Sequence, residues 1–303
     1  MAEHMHFHGA VVPLVTPVTA SGDLDEPALD RLIDSQLKGG VEGIFVLGTT
    51  GEGPSVPRSF RRRMVERAVA RAKGRALVYA GVGDTCLADS IAVANEYLQA
   101  GADVVVAQPP VYFPLQPQEL LGWFRTLLDA ADGPVIIYNI PSTTRVSIPL
   151  DLVASLVGHP RLAGIKDSEN DARRHEELLR QFGGRADYAI FIGVGVLMLQ
   201  GLKLGAHGIV PSAGNLIPDV CHRLGEAARR GDWAAAESLA ERMNAVAAFY
   251  QKGRTLGQSL AALKAALHHR GICAPHMLPP LLPLAPPELE TIQVEMKQLR
   301  LLD

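Results

Sequence analysis

Short apolar runs alternate with amphipathic stretches along most of this chain. The runs are rich in Val, Ile and Ala and lie near 10–15, 43–47, 76–81, 102–108, 135–138, 162–166, 189–193 and 208–210. Most are apolar at successive positions, as parallel strands covered on both faces are. Between them the spacing turns helical. Asp25 is a good N-cap, Pro27 suits a first turn, and Leu29, Leu32, Ile33 and Leu37 form one face before Gly39-Gly40. Phe60, Met64 and Ala68 recur at four-residue spacing. A third helix is expected from Asp84 or Thr85, presenting Leu87, Ile91 and Leu98. A fourth has Pro117 early, then Leu120, Phe124 and Leu128. Three junctions share one form: Gly40-Val41-Glu42-Gly43, Gly101-Ala102-Asp103 and Gly205-Ala206-His207-Gly208. Each is a helix-ending glycine followed at once by a strand, the tight turn of a repeated β/α unit.

Eight β/α units in succession predict a closed (β/α)8 TIM barrel. The competing architecture is an open, doubly wound sheet. It wants a glycine-rich phosphate loop after the first strand, and that strand here runs into Val15-Thr16-Pro17-Val18. After about residue 230 the strands stop. Gly231-Asp232 restarts a helix carrying Trp233, Leu239, Met243 and Phe249. Two more helical segments follow near 258–268 and 287–301, joined by a proline-rich piece at 279–287. Residues 1–230 are thus expected to form the catalytic barrel and 231–303 a C-terminal helical region.

Composition narrows the function. Of 303 residues, 48% are hydrophobic and 20% charged, enough apolar content for a large core. Basic and acidic residues number 29 and 32, for a net charge of −3, which argues against a nucleic-acid partner. No uncharged apolar stretch reaches membrane-spanning length. With no basic-then-apolar leader, a cytoplasmic location is expected. Cys86, Cys221 and Cys273 are odd in number and far apart. They read as three buried small hydrophobes in a reducing compartment rather than a disulfide framework. His4, His6 and His8 alternate with Met5 and Phe7, either as a metal-binding peptide or, the preferred reading, as an unstructured leader. His268-His269 are adjacent rather than a helical turn apart, and Arg61-Arg62-Arg63 reads as a solvated helix face.

In a β/α barrel the chemistry gathers at the C-terminal ends of the strands. Four strand ends carry residues out of keeping with their runs. The second ends in Gly48-Thr49-Thr50-Gly51-Glu52, either an ordinary capped turn or a loop whose amides and hydroxyls take a small carboxylate. The fourth ends in Gln108-Pro109-Pro110-Val111-Tyr112-Phe113, a pocket wall, an oligomer contact or local packing. The fifth ends in Tyr138-Asn139-Ile140-Pro141, whose phenol either covers the barrel top or passes protons. In the sixth, Leu162-Ala163-Gly164-Ile165-Lys166-Asp167-Ser168, period two puts Leu162, Gly164 and Lys166 on one face. If that face is inward, Lys166 enters the barrel mouth with space-making Gly164 beneath it. Taken out of water, an amine becomes the neutral nucleophile that imine formation with a ketone needs. If not, it is a strand-end lysine reaching solvent.

Together, Gly48-Thr49-Thr50-Gly51-Glu52, Tyr138-Asn139-Ile140-Pro141 and Gly164-Ile165-Lys166-Asp167-Ser168 resemble, in order and spacing, the dihydrodipicolinate synthase/N-acetylneuraminate lyase family of pyruvate-dependent class I aldolases. The resemblance covers nearly the whole chain. It implies that Lys166 forms an imine with pyruvate or a 2-keto acid substrate. It further implies that Thr49 and Thr50, on the turn with Gly48, hold the carboxylate, and that Tyr138 shuttles protons. Tyr112 stands where members supply a tyrosine across a subunit contact to a relay with the threonine and the central tyrosine. Val210 would offer a backbone carbonyl. The covalent imine is an electron sink, so no metal or other cofactor is implied. A homotetramer built as a dimer of dimers is implied too.

The chain departs from the synthase branch at one place. Members that condense pyruvate with aspartate semialdehyde usually have Arg two residues after the proline of the tyrosine motif. Here that place is Thr143, and Arg145 stands where glycine is usual. One hydroxyl does not replace a bidentate carboxylate clamp. Thr143, beside Ser142, Thr144 and Ser212, would suit hydroxyls, and Arg145 could reach substrate by another route. The polar residues that mark lysine inhibition are not reproduced, so no lysine feedback is expected. The first reading is thus a lyase that cleaves a 2-keto-3-deoxy sugar acid, or a related hydroxy-2-oxo acid, to pyruvate and an aldehyde. The alternative is dihydrodipicolinate synthase; one of another class is a non-catalytic ligand-binding relative.

Overall fold

All eight apolar runs form strands, and each pairs in parallel with its neighbour in the chain. The structure is a computed structural model and describes residues 7–302. The strands are β1 (Gly9–Pro13), β2 (Gly43–Val46), β3 (Leu77–Val82), β4 (Val104–Ala107), β5 (Val135–Asn139), β6 (Leu162–Asp167), β7 (Ala189–Ile192) and β8 (Gly208–Ile209). The order closes where Gly9 meets Gly208 and Ala10 meets Ile209. An open sheet would leave two edges unpaired, so the barrel reading holds and the open sheet falls.

Side-chain parity explains the doubly apolar runs. Val11, Phe45, Tyr79, Val104, Val106, Ile136 and Phe191 fill the barrel interior. Their sequence neighbours Val12, Ile44, Val46, Val78, Val105, Ile137 and Ile190 face out, under the helices. Those helices are α1 (Glu26–Gly39), α2 (Arg58–Ala72), α3 (Leu87–Gln99), α4 (Pro117–Ala130), α5 (Pro141–Thr144), α6 (Leu150–Leu156), α7 (Ala172–Phe182), α8 (Gly195–Lys203) and α9 (Pro218–Arg229). Asp25 caps α1 by accepting from the Ala28 amide at 3.0 Å. The junction glycines Gly40, Gly101 and Gly205 take φ of 82°, 95° and 95°, a left-handed turn that lets the next strand follow at once. Helix α3 starts at Leu87 with Cys86 at its cap, slightly later than expected.

The chain then adds α10 (Trp233–Gln251), α11 (Leu256–His269) and α12 (Pro286–Gln298). Helix α11 is buried nearly all round, from Ser259 to Leu267. That fits a helix walled in by neighbours rather than one with a wet face. Among the described residues no helix is long and apolar enough to cross a membrane.

Two expectations need correction. Cys221 and Cys273 are buried, but Cys86 is exposed at the start of α3. Arg61 is not a solvated side chain: it donates to Val56 O at 2.8 Å and pairs with Asp84 at 3.4 Å, whereas Arg62 and Arg63 do face outward. His4 and His6 lie outside the described residues, and His8 is exposed.

Tyr79 is buried in the barrel floor, edge-on to Phe7 and Phe191, and its hydroxyl has no hydrogen-bond partner among the described residues. Burial pushes its phenol far above the usual range, so it stays protonated. Removing an unpaired buried hydroxyl relieves a desolvation cost of about 1 kcal/mol. Tyr79→Phe is therefore expected to leave the protein as stable or stabilise it by about that amount, read by urea unfolding; a clear loss would show that the hydroxyl has a partner.

Candidate active site

Strands β5 and β6 build the centre. Their register sets Tyr138 opposite Lys166 and Asn139 opposite Asp167. Because successive side chains alternate, the first pair points into the barrel and the second away from it. Inside, Lys166 is 6% exposed, and its Nζ lies 3.8 Å from the centroid of the Tyr138 ring and 4.9 Å from that of Phe45. This is cation–π geometry, in which ring faces hold an amine that bulk water does not. Outside, the Asn139 amide donates to both Asp167 oxygens at 3.1 Å. Arg174 Nε donates to Asp167 at 2.8 Å, and the Glu169 amide at 2.9 Å. Asn139 also accepts from the Ile148 amide at 2.9 Å. The outer clamp fixes the register that keeps the inner pair together.

The inward position of Lys166 is as expected, but the parity behind it is broken lower in β6. The pairing skips Ala163, so that Val135 meets Leu162 while Ile136 meets Gly164. Leu162 consequently packs outside and Ala163 against the interior. Nor does Gly164 make room for the lysine. A Cβ there would lie 2.1 Å from Ala189 O, so this glycine permits close approach of β7. Room beside the lysine comes from Gly193, whose Cβ would lie 2.0 Å from Ser168 Oγ and 3.3 Å from Lys166 Cε. The only sequence sign of that role is a glycine at the end of the seventh apolar run.

The turn after β2 is tightly made. The amides of Gly51 and Gly53 both donate to Gly48 O at 3.0 Å, and Thr16 Oγ1 donates to Gly51 O at 2.6 Å. Leu47 and Glu52 take left-handed φ of 60° and 55°. Among the described residues the Thr49 and Thr50 amides donate to no group, as a carboxylate site requires. Thr49 Oγ1 lies 3.5 Å from the Tyr138 hydroxyl, a long contact that substrate could tighten.

Thr49, Thr50, Tyr138, Lys166 and Val210 all line one cavity of about 370 Å³ at the barrel mouth. Ser142 and Ser212, named from sequence as hydroxyls of the mouth, line it too, but much of the remaining wall is not apparent from sequence. Ser168 and Asn170 come from the loop after β6, and Met243, Asn244 and Gln251 from α10. Gln251 Nε2 donates to Ser212 Oγ at 3.3 Å, and Ser212 shares a 2.7 Å hydrogen bond with the Tyr250 hydroxyl. Lys166 is the only charged side chain among the residues lining this cavity. Gly48 lines a narrower cleft that also reaches Tyr138, with Arg61 and Gln108 on its wall.

Three expected residues stand apart. Tyr112 is 88% exposed beside Phe113, with φ 99°, and lines neither cavity. Thr143 is exposed, its hydroxyl turned back to Ile140 O at 3.3 Å. Arg145 is exposed with φ 61°. Neither lines the cavity, whereas Ser142 does. No group of three or more His, Cys, Asp or Glu that could hold a metal occurs among the described residues.

A barrel with a buried lysine at its mouth, beside a phenol and a paired-threonine turn, defines a class: (β/α)8 enzymes of the pyruvate-dependent class I aldolase type. The chain matches the dihydrodipicolinate synthetase family over residues 6–299 and belongs to it. It is 32% identical over 277 residues to the 4-hydroxy-tetrahydrodipicolinate synthase of Phenylobacterium zucineum, covering 91% of this chain and 92% of that one. The dihydrodipicolinate synthase structure from Bacteroides thetaiotaomicron superposes with a TM-score of 0.90 at 31% identity, covering 96% and 98%. YagE, an Escherichia coli K12 prophage protein of the same family solved with pyruvate, gives 0.91 at 29%, covering 98% and 99%. The chain is therefore an enzyme, and the non-catalytic alternative is set aside. The relatives' names agree better with the synthase alternative than with the sugar-acid lyase placed first.

Burial pushes the Asp167 carboxyl up, but His175, Arg174 and the Glu169 amide outweigh it and hold it below the usual carboxylate range. Asp167→Asn leaves Arg174 with only the partly exposed Glu169, and is expected to cost about 3 kcal/mol at neutral pH. A carboxyl depressed in the folded state stabilises above its unfolded value and stops doing so as pH falls. The gap between wild type and variant, measured by urea unfolding, should hold near pH 7 and narrow from about pH 5 towards about pH 3. A gap that is flat or widens would contradict the assignment.

Proposed function

We propose that this enzyme forms an imine between Lys166 and the C2 carbonyl of pyruvate, or of a 2-keto acid that yields it. The observation that carries the reading is the inward, buried Lys166, stacked on Tyr138 and sharing a cavity with Thr49 and Thr50. Nζ attacks C2, the carbinolamine loses water, and the protonated imine results. In the cleavage direction the C4 hydroxyl gives up its proton, the C3–C4 bond breaks, and its electron pair enters the imine to leave an enamine. The enamine takes a proton at C3, and hydrolysis returns pyruvate and the free amine. Tyr138, within reach of Thr49, is assigned these proton transfers. Thr49 and Thr50, with their turn amides, are assigned the carboxylate. No cofactor beyond the covalent imine is called on.

The cavity favours an acceptor end bearing hydroxyls. Beyond Lys166 its polar wall is neutral: Ser142, Ser168, Asn170, Ser212, Asn244 and Gln251. That supports the lyase acting on a 2-keto-3-deoxy sugar acid. The second reading, 4-hydroxy-tetrahydrodipicolinate synthase, is favoured by the names of the relatives. Tyr112 and Phe113 form an exposed aromatic pair suited to an interface. We assign it to a dimer contact that carries Tyr112 to the partner's relay, within a dimer of dimers.

Incubation with pyruvate and borohydride should add one reduced pyruvyl group at Lys166, seen by intact mass and peptide mapping; a folded protein without adduct would overturn the imine reading. With pyruvate present, glyceraldehyde or erythrose should give product faster than aspartate semialdehyde, and the reverse order would install the synthase. Tyr112→Phe should lower kcat on the order of tenfold or more with little change in the trapped adduct. A mixed oligomer of Tyr112→Phe and Lys166→Ala chains should recover part of the activity, and no recovery would place Tyr112 outside the relay.

A further inference from the structure

A second buried lysine lies outside the chemistry just assigned. Lys264, in the middle of α11, is 1% exposed and forms an ion pair with Glu52, which is 3% exposed. Lys264 Nζ also donates to His276 O at 2.8 Å, and the Leu278 amide donates to the other Glu52 oxygen at 2.8 Å. Cys273 lies close to the pair, and burial pushes its thiol up to about 12, so it adds no charge there. Glu52 follows Thr49, Thr50 and Gly51 directly. Its amide donates to Thr49 O at 3.1 Å, and its backbone sits in the left-handed region at φ 55°. A non-glycine residue keeps that conformation only when its surroundings over-determine it.

We infer that the Glu52–Lys264 pair is a positioning device: the C-terminal helices hold the carboxylate-binding turn in shape through one buried ion pair. The inference rests on the assignment of Thr49 and Thr50 to the substrate carboxylate. Two features separate it from simple packing. An apolar side chain would satisfy the hole in α11 without desolvating two charges, and removing either charge strands the other. The strained residue is also the one that is clamped, so releasing the carboxylate releases the backbone that presents the threonines.

The test uses the full chain and two readouts: the pyruvate concentration giving half-maximal borohydride trapping at Lys166, and amide hydrogen exchange in residues 48–56. Lys264→Met should raise the half-maximal pyruvate concentration about tenfold and leave trapping at saturation within about twofold. Exchange in residues 48–56 should quicken. Ile292→Ala, which loosens α12 by removing a buried side chain that takes no part in the ion pair, should move neither readout. Combining Glu52→Gln with Lys264→Met also removes the ion pair, so both readouts should stay shifted from wild type; their return to wild-type values would show that a stranded charge, and not a lost strut, moves them, and would overturn the proposal. The proposal is overturned if Lys264→Met leaves both unchanged, or if Ile292→Ala shifts them as much. Should Lys264→Met not fold, Glu52→Gln alone takes its place: a shift in both readouts supports the strut, and no shift overturns it. Wild-type protein that gives no adduct would sink the imine assignment, and the exchange measurement would still decide the strut.

Discussion

One step of the β5–β6 ladder organises the site. Tyr138 opposite Lys166 and Asn139 opposite Asp167 are consecutive rungs, and strand alternation sends them to opposite faces. The inner rung holds a phenol and an amine, both nearly buried, at the barrel mouth. The outer rung is a side-chain clamp strengthened by Arg174 and the Glu169 amide. A one-residue slip would exchange the two faces, placing a carboxylate inside and the lysine under the helices. The hydrogen bonds on Asp167 therefore guard the direction in which Lys166 points, which is more than local stability alone would ask of them.

Much of this is legible in the chain, for a physical reason. Eight doubly apolar runs, each ended by a glycine or polar turn, have few ways to bury themselves other than as parallel strands under helices. Lys166 and Tyr138 stand out because each interrupts such a run at its C-terminal end. What stays hidden depends on register and distance. The skipped Ala163 cannot be seen from periodicity within β6, since it is defined by the facing residues Val135 and Ile136. Without it, Leu162 and Gly164 take the wrong roles, and the space beside the amine is credited to Gly164 instead of Gly193. Arg61 reads as a solvated charge because Val56 and Asp84 approach it only after folding.

The helices after the barrel read as an appendage, and their sequence does look like one. Asn244 and Gln251 belong to a long helix with many exposed positions, and nothing in their spacing shows that they reach the barrel mouth. Lys264 gives a stronger sign. It sits between Leu263 and Ala265 in a helix buried almost all round, and a lone charge there needs a partner. That partner cannot be named from sequence, because Glu52 lies far away along the chain, in a turn of unusual backbone geometry. Through these contacts the late helices wall one side of the cavity and brace the other.

The remaining tension lies between ancestry and lining. Relatives at 30–36% identity named as synthases place this chain well inside the family, but identity over a whole barrel is dominated by strands and helix faces that pack. An acceptor is chosen by a handful of side chains at the mouth, which contribute little to such a score. There the relevant fact is electrostatic. A second carboxylate entering the cavity exchanges part of its water for groups on the wall, and Lys166, which the proposed imine ties to the first carboxylate's carbon chain, is the only charged side chain lining it. Hydroxyls make a smaller demand, which Ser168, Ser212, Asn244 and Gln251 can meet as both donors and acceptors. A partner subunit bringing a cation to the mouth would reverse that balance. On the proposed dimer contact, the exposed face around Tyr112 is where such a partner would approach.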